Sequence, residues 1–308
     1  SKDCISKESI ELSHSLKPGE VHLLENLRFH DTETTNDDVF SLLLAQHGNV
    51  YVNDAFGTAH RAHASNVGVV QHIDTAAPGF LMEKEWKFLS TGLDEPEQPY
   101  MVILGGAKVA GKIELIHHLM EKANTILIGG AMAFTFLKVQ GKNVGSSLID
   151  EDNLKVAEDI LALAEKTDTN LVLPVDVVAA QEMAHDAPWR VAGLDEVEDD
   201  EFGFDIGPET TMNYELLLSD AKTIIWNGPM GVCEIPAFAT GTQAIAFAVR
   251  DETDDGAVSI IGGGDTASAL KEMGLNDGFT HISTGGGASL QLMSGKTLSA
   301  FEALHENE

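Results

Sequence analysis

Four times in this chain a short apolar strand runs into a glycine-rich turn and then into a helical pattern. The four segments are YMVILGGAKVAGKIELI from Tyr100, TILIGGAMAFTFLK from Thr125, SIIGGGDTASALKEM from Ser259 and HISTGGGASLQLM from His281. A strand, a tight glycine turn and a helix, repeated, constrain the fold strongly. Successive strands must then lie parallel, because a helix carries the chain back between them. Further apolar runs rich in Val and Ile end at Gly, Asp or Asn at 21–26, 49–54, 170–176 and 223–228, and these are expected to be strands as well. Helical periodicity fills the intervals, as in AGKIELIHHLMEKA, NLKVAEDILALAEK and FATGTQAIAFAVRDE. The strands are apolar along their whole length, which matches burial on both faces. The fold class is therefore α/β, with doubly wound parallel sheets.

The length of 308 residues favours two domains over one. GFLMEKEWKFLSTGL at 79–93 reads as an amphipathic interdomain helix, and the acidic, proline-containing DEPEQP follows it. HDAPWRVAGLDEVEDDEFGF is expected to be a surface excursion within the second domain.

The glycine turns also indicate chemistry. Glycine lets backbone amides approach an anion closely, and the following helix points its positive end to the same place. In open parallel sheets ligands bind at the carboxyl ends of the strands, where all four turns would gather. GAKVAGK, from Gly106 to Lys112, fits the start of a P-loop, but Ile113 stands where a Mg²⁺-binding hydroxyl is needed. A phosphate loop of another kind, carrying Lys108 and Lys112 on one helical face, remains open, as does a pair of solvated lysines. In GGGDTAS, Asp265 and Thr266 begin a helix. Asp265 could be an ordinary N-cap or could hold Mg²⁺ against nucleotide phosphates, and sequence physics does not separate the two. A second cluster sets Arg28 and Arg61 just past strand ends, with His60 and His63 nearby. Arginines so placed clamp phosphate or carboxylate. No further ligands support a zinc site at the two histidines. Asp54 with either histidine lacks the GxSxG elbow of a hydrolase. No GxGxxG with a suitably spaced acid supports a dinucleotide-dependent dehydrogenase.

Composition narrows the partners. Forty-nine acidic residues face 19 basic ones, a formal charge of −30. The acids are scattered, and such a field repels nucleic acid and anionic membranes. A merely acidic soluble protein is one reading, but abundant acid with scarce lysine favours adaptation to a salty cytoplasm, with folding and activity improving in molar salt. No apolar run reaches the length of a membrane span, no signal peptide opens the chain, and two distant cysteines do not make a disulfide framework. A cytoplasmic location is expected.

Taken together, LLENLRFH, YVNDAFGTAHRAHAS, GFLMEKE, ILGGAKV, LIGGAMAFTF, LPVDVV, DIGPET, IIWNGPMGV, IIGGGDTASA and HISTGGGASLQLM resemble the phosphoglycerate kinase family, in the family's order and from about residue 17 to about residue 303. The scattered acidity resembles that of proteins from salt-loving archaea. The resemblance implies reversible phosphoryl transfer between 1,3-bisphosphoglycerate with ADP and 3-phosphoglycerate with ATP, using Mg²⁺. It implies a monomer of two doubly wound, Rossmann-like domains joined by a helix and closing on a hinge. Residues 1–78 would form part of the phosphoglycerate-binding domain, 79–93 the helix, 94–293 the nucleotide-binding domain, and 294–308 a segment returning to the first. Arg28, Arg61 and His60 would meet phosphoglycerate. Gly106, Lys112, Gly130, Asn227, Gly263, Gly264 and Thr266 would surround nucleotide phosphates, with Glu234 on the ribose and Asp265 on Mg²⁺. Lys108 and the amides of Gly285, Gly286 and Gly287 would stabilise the group in transfer. Gly111 stands where the family has an acid, and Cys233 where it commonly has Phe. The family's opening stretch, with a D-x-N strand, an arginine and HLGRP, has no counterpart, so the first domain is expected to be incomplete and these 308 residues to bind Mg²⁺-nucleotide weakly and to turn over poorly or not at all. The other reading the sequence leaves open is a catalytically inactive nucleotide-binding or interaction protein that keeps the second domain.

Overall fold

A computed structural model describes residues 1–107 and 109–305. The chain divides into two units, Ser1–Ser90 with Gly295–Glu308, and Thr91–Ser294.

The first unit contains helices α1 (Lys7–His14), α2 (Asp31–Thr34), α3 (Asp38–Ala45) and α4 (Phe80–Leu89) and the parallel strands β1 (Tyr51–Asn53) and β2 (Ala76–Pro78). Cys4, Phe40, Leu44, Ala64, Val69 and Val70 form its core. Residues 21–26, expected as a strand, are not one. They pair with no strand among the described residues, and Val21 and Leu23 are 90% and 84% exposed. Only Leu24 packs on the core, and an unpaired extended segment gains no ladder hydrogen bonds. Helix α4 begins where Asp54 directs its carboxylate at the free amides of the first turn, accepting from Leu81 N at 2.7 Å and Met82 N at 3.2 Å. That capping duty is what Asp54 performs, rather than service in a hydrolase triad.

The second unit is built on β3 (Tyr100–Leu104), β4 (Thr125–Ile128), β5 (Asn170–Val172), β9 (Thr223–Asn227), β10 (Val258–Gly262) and β11 (His281–Ile282), joined in the order β11-β10-β9-β3-β4-β5, every pair parallel. All residues of β3, β4 and β9 are buried, in keeping with their largely apolar sequences. Helices α5 (Ile113–Leu119), α6 (Met132–Val139), α7 (Leu154–Ala164), α8 (Pro208–Leu218), α9 (Thr240–Asp254), α10 (Gly264–Glu272) and α11 (Gly287–Met293) complete the layers. The chain runs outward from β3 through β4 to β5, then returns to place β9 on the other side of β3. The strand order reverses between β3 and β9, and that is where a doubly wound sheet opens a crevice.

The expected surface excursion at 185–204 is corrected by the structure. It contributes β7 (Trp189–Gly193) and the start of β8 (Phe202–Ile206), which flank β6 (Asp176–Ala180) in an antiparallel sheet. Short strands rich in glycine and charge, with a bulge between Val178 and Ala179, give little period-two signal. Residues 295–305 return to the first unit, where α12 (Ser299–His305) packs Phe301 on Trp86 at 4.7 Å between ring centroids. No helix among the described residues is long and apolar enough to cross a membrane.

Candidate active site

At the switch point the turns after β3 and β9 are hydrogen-bonded together. Gly105 N donates to Asn227 O at 3.0 Å and Gly106 N to Pro229 O at 2.9 Å. The turn after β4 joins them, with Gly130 N donating to Met230 O at 2.9 Å. Between them lies a cavity of about 630 Å³. Its lining combines glycine-turn backbone (Gly106, Ala107, Gly130), an apolar group that includes Leu148, Phe202, Phe204 and Ile235, and two carboxylates, Asp265 and Glu234. An apolar wall with a few fixed polar groups suits a ligand with an apolar body and a charged end.

Lys112 is the notable cation here. It is 9% exposed, and its ammonium donates to the Gly105 carbonyl. A Cβ on Gly106 would lie 3.2 Å, and one on Gly228 2.6 Å, from Nζ, so the lysine head sits between the β3 and β9 turns. Burial pushes its pKa down to about 8, partly opposed by the nearby Asp265 carboxylate. A buried, poorly compensated ammonium is suited to receive an anion. Lys108 lies outside the described residues.

Asn227, at the end of β9, is 3% exposed, and its Nδ2 has no hydrogen-bond partner among the described residues. It faces the β10 turn, since a Cβ on Gly263 would lie 3.1 Å from Nδ2. Gly263 has φ +92°, which an L side chain adopts only with strain. An orphaned buried donor costs free energy unless something completes it. Thr266 is fully buried, and its hydroxyl oxygen accepts from Gly228 N at 2.7 Å, which ties α10 to the β9 turn and leaves its own proton to donate. Gly264 and Asp265 are exposed at the start of α10, and Asp265 makes no hydrogen bond or ion pair among the described residues. As a free hard-oxygen donor beside three phosphate-type turns, it fits Mg²⁺. In the β11 turn Gly285 N is already engaged by Ser283 Oγ at 3.2 Å, so Gly286 and Gly287 hold the amides left to bind an anion.

The arginine cluster belongs to the first unit. Arg28 and Arg61 are both exposed, Arg28 on a 3₁₀ turn where its own amide donates to Asn26 Oδ1 at 3.0 Å. Both act electrostatically on His63, so the two guanidinium groups share one neighbourhood. His60 is held below its ordinary pKa by burial, then by Arg61 and His63, and its Nδ1 is buried without a partner among the described residues. The sequence did not single out Glu33. It is 3% exposed and accepts from Ser65 N at 3.0 Å and Ser65 Oγ at 2.5 Å, fixing the loop that carries Arg61. The signal was weak, because Glu33 lies within the acid-rich DTETTNDD. Among the described residues, His60 and His63 join no group of three metal-type ligands.

A parallel α/β sheet whose glycine turns, buried lysine and orphaned amide meet at its switch point defines a nucleotide-phosphate-binding enzyme of the doubly wound class. Known proteins narrow this. The family model for phosphoglycerate kinase matches residues 1–296. A phosphoglycerate kinase of Prosthecochloris aestuarii is 50% identical over 304 residues, covering 99% of this chain and 77% of that protein. One from Chlorobaculum tepidum is also 50% identical, with the same coverage. The solved phosphoglycerate kinase of Coxiella burnetii aligns with a TM-score of 0.87 at 41% identity, over 95% of this chain and 75% of that one. That of Pyrococcus horikoshii aligns with the same score at 32% identity, over 99% and 78%. The chain belongs to the phosphoglycerate kinase family, and it is a kinase.

Proposed function

We propose that this chain catalyses reversible transfer of a phosphoryl group between ATP and the carboxylate of 3-phosphoglycerate, in the cytoplasm, with its second unit holding the nucleotide. The observation that carries the nucleotide assignment is the meeting of Lys112, the unpartnered Asn227 amide and the Gly263 turn at the sheet's switch point. Phosphoryl transfer asks little covalent chemistry of a protein. It needs positioning and neutralisation of charge spread over the phosphoryl oxygens.

Each residue then has a task. Lys112, Asn227 Nδ2, the Thr266 hydroxyl and the turn glycines Gly106, Gly130, Gly263 and Gly264 bind phosphate oxygens. Glu234 accepts from the ribose hydroxyls. Asp265 would hold Mg²⁺, whose charge screens the nucleotide phosphates when it is bound. Gly286 and Gly287, with Lys108 and with Gly285 as their support, stabilise the moving group. Arg28 and Arg61, with His60 beside them, hold phosphoglycerate, where a bidentate guanidinium suits both phosphate and carboxylate.

Calorimetric titration with MgADP tests the nucleotide assignment. Saturable binding of one nucleotide per chain is expected, weakened about tenfold or more by Asn227→Leu, which removes the donor. Unchanged affinity in that folded variant would show that the orphaned amide faces no phosphate.

A further inference from the structure

Asp205 is buried in the second unit and has no role in the assignments above. It lies on β8, is 3% exposed, and among the described residues makes no ion pair. Its two oxygens are spent on backbone. Oδ2 accepts from Gly241 N at 2.7 Å, in the first turn of the fifteen-residue helix α9, and Oδ1 accepts from Ile206 N at 2.9 Å. A Cβ on Gly231 or on Gly241 would overlap the Asp205 carboxyl group, so both glycines exist to let backbone close on it. Burial pushes the carboxyl up to about 8, against the lowering pull of the two amides.

Asp205 bonds its own strand to α9 and packs against Gly231, and so lies behind two walls of the cavity. Phe202, Gly203 and Phe204 line it from β8, while Gly231, Val232 and Glu234 line it from the turn after β9. The two walls are also bonded directly, Val232 N to Phe204 O at 2.9 Å. A second anchor sits one residue beyond Gly241. Thr242 is fully buried, and its hydroxyl oxygen accepts from Met230 N at 2.9 Å and Gly231 N at 3.3 Å. Both anchors belong to the start of α9 or bind it; Thr242 holds the turn that carries Glu234 by hydrogen bonds, and Asp205 packs against the same turn at Gly231.

We propose that Asp205 and Thr242 are positioning residues for the nucleotide: they fix the 228–235 turn against α9 and so set the wall on which the nucleoside and Glu234 meet. Neither side chain lines the cavity. A buried carboxyl without a cation is an expensive way to cap a helix, since an uncharged cap at the surface would serve α9 as well. Its placement makes sense where the same group must also receive a close-packed turn at a defined height.

The inference rests on the second unit being the nucleotide site, and the experiment separates the two. The full chain and its Asp205→Asn and Thr242→Val variants are titrated with MgADP, and their melting temperatures are recorded. Ile160→Ala, in the core of α7 away from the cavity, serves as a control that lowers stability alone. Both test variants are expected to weaken MgADP about tenfold, because a buried amide loses its acceptor and the turn shifts, while the control melts lower with unchanged affinity. Asp205→Asn keeps one acceptor oxygen and is expected to lose less than Asp205→Ala where the latter folds. Test variants that melt lower yet bind MgADP like the parent would overturn the positioning role. A parent chain that binds no MgADP would instead overturn the nucleotide reading itself.

Discussion

Lys112 joins the sequence to a measurable property. Its ammonium is buried, and its pKa falls from 10.5 to about 8 mainly because burial penalises the charged form. Phosphate binds the protonated form, so nucleotide affinity is expected to hold below about 8 and to fall as pH rises through that value. Stability follows the opposite trend. Between about 8 and 10.5 the unfolded chain holds more protons than the folded one, so stability rises with pH across that window. Lys112→Met should therefore melt higher than the parent at neutral pH while binding MgADP about tenfold or more weakly, with the pH dependence gone. A variant that keeps the parent's pH profile would place the titrating group elsewhere. The sequence shows Lys112 beside a GG turn, but not that the turns of β3 and β9 enclose it. Asn227 is marked in the sequence by resemblance alone, and its unpaired Nδ2 becomes visible only with the fold, because satisfaction is a property of neighbours far along the chain. Asp205 and Thr242 give no signal for the same reason.

At the scale of elements, the strands of the parallel sheet are legible because they are buried on both faces and so carry continuous apolar runs. The antiparallel β6, β7 and β8 are not, since Trp189 and Val191 face outward and β8 contains glycine and aspartate. The 21–26 segment looks like a strand for the converse reason: its apolar residues are present, but Val21 and Leu23 are exposed and only Leu24 packs on the core. Helix α4 shows how an end is set by a remote residue. Asp54, which follows β1, caps the first turn across 27 positions of sequence. Asp54→Ala should cost the first unit about 1 kcal/mol, with a larger loss where the freed amides stay buried. Chemical denaturation followed by Trp86 fluorescence, on the same helix, checks this. An unchanged midpoint would mean that water replaces the carboxylate at no cost.

For the whole molecule, family membership rests on matches across nearly the full chain and on a shared fold, whereas the proposed tasks of single residues rest on the resemblance, supported at Lys112, Asn227 and Thr266 by the geometry of the second unit. The excess of 30 negative charges adds a constraint. The anionic substrates approach an acidic protein, so local cations and oriented amides must overcome the long-range field. In the proposed assignment the glycine turns, the buried lysine in one unit and the arginine pair in the other supply that local positive potential. The central claim is that these features serve transfer and not binding alone. Its most direct measurement supplies MgATP and 3-phosphoglycerate together with hydroxylamine, which traps an acyl phosphate as a hydroxamate. The carboxylate oxygen attacks the γ-phosphorus, the bond to ADP breaks, and the acyl phosphate is captured. Hydroxamate is expected only when both substrates are present, in step with ADP release, and reduced by Lys112→Met. MgADP binding with no hydroxamate above background would contradict the account and leave a nucleotide-binding protein that does not transfer phosphate.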